Sequence, residues 1–311
     1  MTVLIEKYIP YLHGVLEPYA EVQYVAPDGF TKDVIRDADA LIIRTRTTIT
    51  DELLEGTQVS FVATATIGTD HIHTTAVPVY NAAGCNARAV CDYVEEVLDR
   101  YAERRPKKDN SVVRLGVVGY GHIGTLVVEM AKRKGSEVLI SDPFKGYNTT
   151  VEDLMKQCDI LTFHTPLTYD GPYPTYHMVN ERILRGYSED KLIINAARGG
   201  IIDEAAALAS SVRFAIDCWE NEPQLNQEFL ARKQLIFASY HIAGYSVQGK
   251  RNASQMCLDA LTAHFGLPSL KIEPDDGIRG DSAPGWLDRI TRQLKDDPEG
   301  FEHLRKAYPL R

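Results

Sequence analysis

Short apolar runs alternate with amphipathic stretches along most of the chain. The runs at Val3–Ile5, Val22–Val25, Leu41–Arg44, Phe61–Ala65, Arg114–Val118, Glu137–Ser141, Ile160–Phe163, Leu192–Asn195, Phe214–Asp217 and Leu235–Ala238 read as strands. Helical patterns lie between many of them, which predicts parallel sheets covered by helices. One helix is marked on a single face by apolar or aromatic residues at 90, 94, 97, 98 and 101, a 3.6-residue period. Asn86 is placed to cap it, Arg104 and Arg105 suit its C-terminal dipole, and Pro106 lies beyond. A polar stretch, RRPKKDNS, follows, so this helix reads as the start of a second domain. After Gly266 the strand–helix rhythm is lost, and residues 266–311 read as an appended module.

Composition narrows the class without naming it. A chain of 311 residues is expected to hold two or three domains. Its apolar share of 44% and charged share of 25% are those of an ordinary globular protein. A net charge of −9 argues against a nucleic-acid partner but leaves room for a local basic pocket. The first apolar run stops at Glu6 and Lys7, too soon for a signal peptide, and no run is long enough to span a membrane. The five cysteines, 85, 91, 158, 218 and 257, lack zinc spacing and suit buried thiols in a reducing cytoplasm. No metal is expected: His71 and His73 share a loop with no third ligand.

The chemistry begins at Gly119, Gly121 and Gly124, a G-x-G-x-x-G between an apolar strand and an amphipathic helix. A second strand then ends in Asp142. Together these make a dinucleotide fingerprint. Gly119 permits the tight turn, Gly121 lets the backbone approach a pyrophosphate, and Gly124 lets helix and strand pack closely. His122 and Ile123 open the helix whose free N–H groups would take the phosphates. Asp142 would bind ribose hydroxyls and repel a 2′-phosphate, so NAD rather than NADP is expected.

Three later strands each end in a polar group: Arg198 beyond Ile194, Glu220 and Glu222 beyond Ile216, and His241 beyond Phe237. The C-terminal ends of parallel strands line ligand crevices. A neutral imidazole suits abstraction of a hydroxyl proton near neutral pH. An arginine suits a carboxylate or a polarised carbonyl, and a glutamate beside the histidine would orient it and raise its pKa.

The segments ATATIGTDHI (63–72), NAAGCNARAVCDYV (81–94), GVVGYGHIG (116–124), DILTFHTPLTYDGPY (159–173), INAARGGIID (194–203), DCWENEPQLN (217–226) and SYHIAGYSVQGK (239–250) resemble the D-2-hydroxyacid dehydrogenases across residues 1–265. The resemblance implies two Rossmann-like, doubly wound α/β domains with a cleft between them and a small C-terminal module. Residues 1–84, completed by a helix near 246–265, would bind substrate. Residues 85–245 would bind NAD, and 266–311 would be a shortened dimerisation module of a homodimer. It further implies Arg198, Glu222 and His241 as the catalytic set. Thr165, Ala196, Asp217 and Gly244 join the glycine loop and Asp142 at the cofactor. Thr45, Thr66 and Tyr245 would touch substrate. Wording such as GTDHI, AAGCNA and HTPLTYDGPY points within the family to a small phosphorylated hydroxy acid. Arg44, Thr45 and Arg46, after an apolar strand, are candidates for its phosphate, and Arg198 with the TIGT loop (66–69) for its carboxylate. Another hydroxyacid dehydrogenase, such as one acting on phosphoglycerate, or an NAD-sensing co-repressor on the same scaffold, remain alternatives. One departure stands out: Asp203 and Asp217 are only 14 positions apart (217 − 203), short for the helix, loop and strand expected there.

Overall fold

The computed structural model describes residues 1–104, 112–273 and 285–310. Arg105, Pro106, the rest of the polar stretch to residue 111, and 274–284 of the tail lie outside the described residues. The chain divides into two compact units, Met1–Asn86 with Ser246–Arg279, and Ala87–Tyr245 with Gly280–Arg311.

In the first unit, strands β1 (Thr2–Glu6), β2 (Glu21–Val25), β3 (Ala40–Ile43), β4 (Ile49–Thr50), β5 (Phe61–Thr64), β6 (Ile72–His73) and β7 (Val79–Asn81) form two sheets, ordered β2-β1-β3-β5-β7 and β4-β6. All their pairings are parallel. Alternate side chains leave opposite faces of a strand. Val3, Ile5, Ile42 and Phe61 therefore pack on Leu258 and Leu261 of the helix Val247–Phe265, while Leu4, Leu41, Ile43 and Val62 pack on Phe30, Ile35 and Leu54.

In the second unit, β8 (Arg114–Val118), β9 (Glu137–Asp142), β10 (Tyr147–Asn148), β11 (Ile160–Phe163), β12 (Leu192–Asn195), β13 (Arg213–Ile216) and β14 (Leu235–Ala238) form one sheet ordered β10-β9-β8-β11-β12-β13-β14. Only β10 is antiparallel. The order reverses at β8, which has β9 on one side and β11 on the other. That reversal is the switch point at which such sheets bind ligands. The long helix runs Ala87–Arg104 and buries Val90, Val94, Val97 and Tyr101. Asn86 does not cap it with its side-chain oxygen, which is buried without a partner among the described residues. Arg104 pairs with Asp288 instead of serving only the helix dipole.

One expectation differs from the structure. Among the described residues the tail forms no module of its own: Leu270 stays in the first unit's core, and the helices Trp286–Asp296 and Phe301–Ala307 bury Trp286, Leu287, Ile290, Leu294 and Phe301 in the core of the second. Those apolar positions recur at helical spacing, and a lone helix cannot bury such a face by itself. The short Asp203–Asp217 span holds a trimmed helix, Glu204–Ala209, before β13 begins at Arg213.

Candidate active site

β8 runs into Gly119, whose φ of +90° is a conformation natural to glycine. A Cβ there would lie 2.7 Å from the His164 carbonyl oxygen, and one at Gly124 would collide with the Gly119 carbonyl. At Gly121 a Cβ would meet nothing within 4 Å, so this turn leaves open space. No side chain caps the helix His122–Arg133, which leaves its first N–H groups for an anion. His122 is exposed, while Ile123 packs on the core. At the end of β11, Thr165 Oγ1 and His164 Nδ1 are buried without partners among the described residues. Burial lowers the His164 pKa to about 3, so its ring is neutral. Asp142 Oδ2 accepts the Tyr120 N–H at 2.8 Å, which ties the end of β9 to the glycine turn. Open space, uncapped N–H groups, orphaned polar atoms and a strand-end carboxylate together fit a dinucleotide.

β12, β13 and β14 are neighbours, so the groups after them are neighbours too. Asn195 binds them together, donating to the carbonyls of Arg198 (2.9 Å) and Cys218 (3.3 Å). Arg198 is half-buried, donates to Ala197 O at 2.8 Å and forms no ion pair among the described residues. Its remaining donors can serve an anion. Beyond β14 the chain turns at His241, with a φ of +58°. The ring Nδ1 lies 2.5 Å from Glu222 Oε1, and Glu222 Oε2 accepts the Trp219 N–H at 3.2 Å. Burial disfavours charge on His241, but Cys218 and Glu222 outweigh it and hold the pKa well above the ordinary 6.5. Burial keeps the Cys218 thiol protonated, so the charge that retains the ring proton is that of Glu222. Burial works against the Glu222 carboxylate as well, and the bond and charge of His241 bring its pKa below the ordinary 4.5.

Asp217, expected at the cofactor, also braces the loop after β14. Only 1% exposed, it accepts Ser239 Oγ (2.7 Å) and the N–H groups of Ile242 (2.8 Å) and Ala243 (3.0 Å). Its carboxylate shapes the His241 loop. Ala196 is buried in the second core, and Gly244 is half-buried beside Tyr245.

The first unit carries its own set. Buried Glu6 accepts the Arg44 N–H and the Thr47 hydroxyl, each at 2.9 Å, and so fixes the loop that exposes Thr45 and Arg46. Thr66 shares a 2.6 Å hydrogen bond with Thr64 and donates to Gly68 O at 3.0 Å, and Thr64 meets His71 Nε2 at 3.1 Å. The Thr66 hydroxyl thus shapes the TIGT loop. Burial and then the Arg44 charge lower the Lys250 pKa.

Glu6, Lys250 and Arg305 are not singled out by the sequence; Glu6 alone has a signal, a carboxylate closing an apolar run, while Lys250 and Arg305 sit among polar neighbours. A further cluster, His177, Asp203 and Glu220, offers ligand atoms within 4.8 Å of one another. Glu220 Oε1 lies 2.6 Å from His177 Nε2 and Asp203 Oδ2 3.8 Å from Nδ1, so carboxylates bracket both ring nitrogens. The cluster joins the loop before Val179 to the ENEP segment. Beside it Glu204 rises to about 7, chiefly through burial, against the Glu220 N–H bond and with added repulsion from Glu220 and Glu222.

Residues 80–243 match the family model of the D-isomer specific 2-hydroxyacid dehydrogenase NAD binding domain. The chain is similar along its whole length to an erythronate-4-phosphate dehydrogenase of Bacteroides thetaiotaomicron, 37% identical with 100% of this chain and 97% of the relative covered. It is likewise similar to one of Marinobacter nauticus, 38% identical with 100% and 92% covered. In fold it resembles the NAD-bound 3-phosphoglycerate dehydrogenase of Entamoeba histolytica, with a TM-score of 0.67 at 23% identity over 88% of this chain and 99% of the other.

Proposed function

This chain belongs to the D-isomer specific 2-hydroxyacid dehydrogenase family, and from that premise we propose that it oxidises 4-phospho-D-erythronate to 3-hydroxy-2-oxo-4-phosphooxybutanoate on the route to pyridoxal 5′-phosphate. The observation that carries this reading is the end-to-end similarity to erythronate-4-phosphate dehydrogenases. NAD is the cofactor and supplies the hydride acceptor. The glycine turn and the N–H groups after it would hold its phosphates, with Asp142 on the ribose and Thr165 beside them.

The proton belongs to His241. Glu222 holds Nδ1, so in the neutral ring Nδ1 keeps its hydrogen and the Nε2 lone pair takes the proton of the substrate hydroxyl. The resulting imidazolium is stabilised by the same carboxylate. Arg198, with donors to spare, would hold the substrate carboxylate and polarise the carbonyl as it forms. Thr45, Thr66 and Tyr245 are assigned to the substrate by the family resemblance and Arg44 to its phosphate by its place after an apolar strand, and the homodimer and cytoplasmic placement belong to the same reading.

A steady-state assay of NADH formation tests it. Charge-assisted hydrogen bonds contribute roughly 1.5–3 kcal/mol each, so loss of two should lower kcat/KM about a hundredfold or more. D-erythronate should show that deficit against its 4-phosphate, and lactate should be poorer still. Equal turnover of erythronate with and without its phosphate would remove the phosphate pocket and return the assignment to the broader family.

A further inference from the structure

The last described stretch is fastened to the second unit by polar as well as apolar contacts. Ala238 N–H donates to Thr291 Oγ1 at 3.0 Å, and Lys295 Nζ reaches Leu235 O at 3.0 Å. Arg100 and Arg104 both hold Asp288. Tyr308 stands edge-on to Tyr240 with ring centres 5.9 Å apart. Between these anchors the helix Phe301–Ala307 is fixed by fully buried Phe301. This framework sends Arg305 to Tyr245: Nε–H donates to the Tyr245 hydroxyl at 2.9 Å, and the guanidinium carbon lies 5.7 Å from the ring centre. Glu302 takes Nη1 at 3.3 Å.

We propose that Arg305 is a positioning residue of the active site, one that holds the Tyr245 hydroxyl in place. The proposal rests on the role given above to Tyr245. A side chain needed only for anchoring would not have to be charged. Burial disfavours the Arg305 cation, yet Tyr245 and then Glu222 more than restore it, and Arg305 in turn helps keep Glu222 ionised.

The test uses the full chain with R305Q and R305K, and reads two quantities. One is the NMR signal of the Tyr245 ring in the free enzyme, assigned with Y245F. The other is KM for the hydroxy acid, resolved from kcat and from KM for NAD. R305Q should move the Tyr245 ring signal and raise the substrate KM about fivefold from the lost contact, with KM for NAD unchanged. R305K should still raise the substrate KM, because an ammonium lacks the guanidinium fork. In Y245F, R305Q should add nothing further to the substrate KM. An unmoved Tyr245 signal in R305Q, or a substrate KM that R305Q raises as much with Y245F as without it, overturns the proposal. Should the unaltered protein not oxidise 4-phospho-D-erythronate, the substrate reading fails alone, because the NMR signal reads the contact without substrate.

Discussion

His241 and Glu222 answer to pH in opposite senses. The imidazole's folded pKa is raised, so its contribution to stability is complete below its ordinary 6.5 and is lost as pH climbs through the folded value. The carboxylate's is lowered, so its contribution is complete above its ordinary 4.5 and is lost as pH falls through the folded value. The pair therefore stabilises the fold most fully between those ordinary values, whereas oxidation needs the deprotonated ring and is fastest on the alkaline side. For Glu222→Gln the rising limb of kcat/KM should move to lower pH, and the loss in melting temperature should be greatest between the same two ordinary values. A limb that stays in place in a pH-rate series would remove Glu222 from this role. Arg198, Glu222 and His241 stand out in the sequence as candidates because each follows an apolar strand, and strand ends are where polar groups in such sheets become useful. Asp217 occupies an equally suggestive position, and folding also engages its oxygens in the loop that carries His241. Arg305 left no local sign, since its partner Tyr245 lies 60 residues away.

At the scale of elements, the glycine turn separates two demands that one motif combines. Gly124 faces the backbone of its own turn, so Gly124→Ala should cost about 1–3 kcal/mol of stability by overpacking. Gly121 has an ordinary φ of −81° and open space around a Cβ. Gly121→Ala should melt close to the unaltered protein and yet gain less from added NAD, because the methyl would stand where the pyrophosphate approaches. Thermal unfolding with and without NAD checks both, and a Gly121→Ala protein that NAD stabilises fully would move the phosphates elsewhere. All ten strands expected from apolar runs are present, with ends shifted by a residue or so. The four that were not foreseen, β4, β6, β7 and β10, are two or three residues long, and among their residues only Ile49 is buried. Their pairing comes from neighbouring strands and leaves no periodicity to read.

On the scale of the whole molecule, the two-unit division follows the long helix and the return at Ser246 closely. The tail was the harder part, because two short amphipathic helices look the same in sequence whether they cover their own chain or another. The outer edge of β14 shows what covering their own chain achieves. Beyond β13 the sheet would otherwise end in bare backbone donors and acceptors, a template onto which another chain's strand can add. Thr291 and Lys295 occupy the Ala238 N–H and the Leu235 carbonyl, and at the opposite edge β10 is only two residues long and antiparallel. Both margins of the sheet are thus closed to runaway growth. Thr291→Val combined with Lys295→Ala should leave the apolar packing of the helix in place but unseal the strand. Such a protein should aggregate at a lower temperature in a light-scattering melt, with the deposits binding a cross-β dye. If it aggregates no sooner than the unaltered chain, the bulk of the helix is the barrier and its two polar contacts are dispensable. The stretch that reads as an appendage to a catalyst would then also be what keeps the catalyst from polymerising.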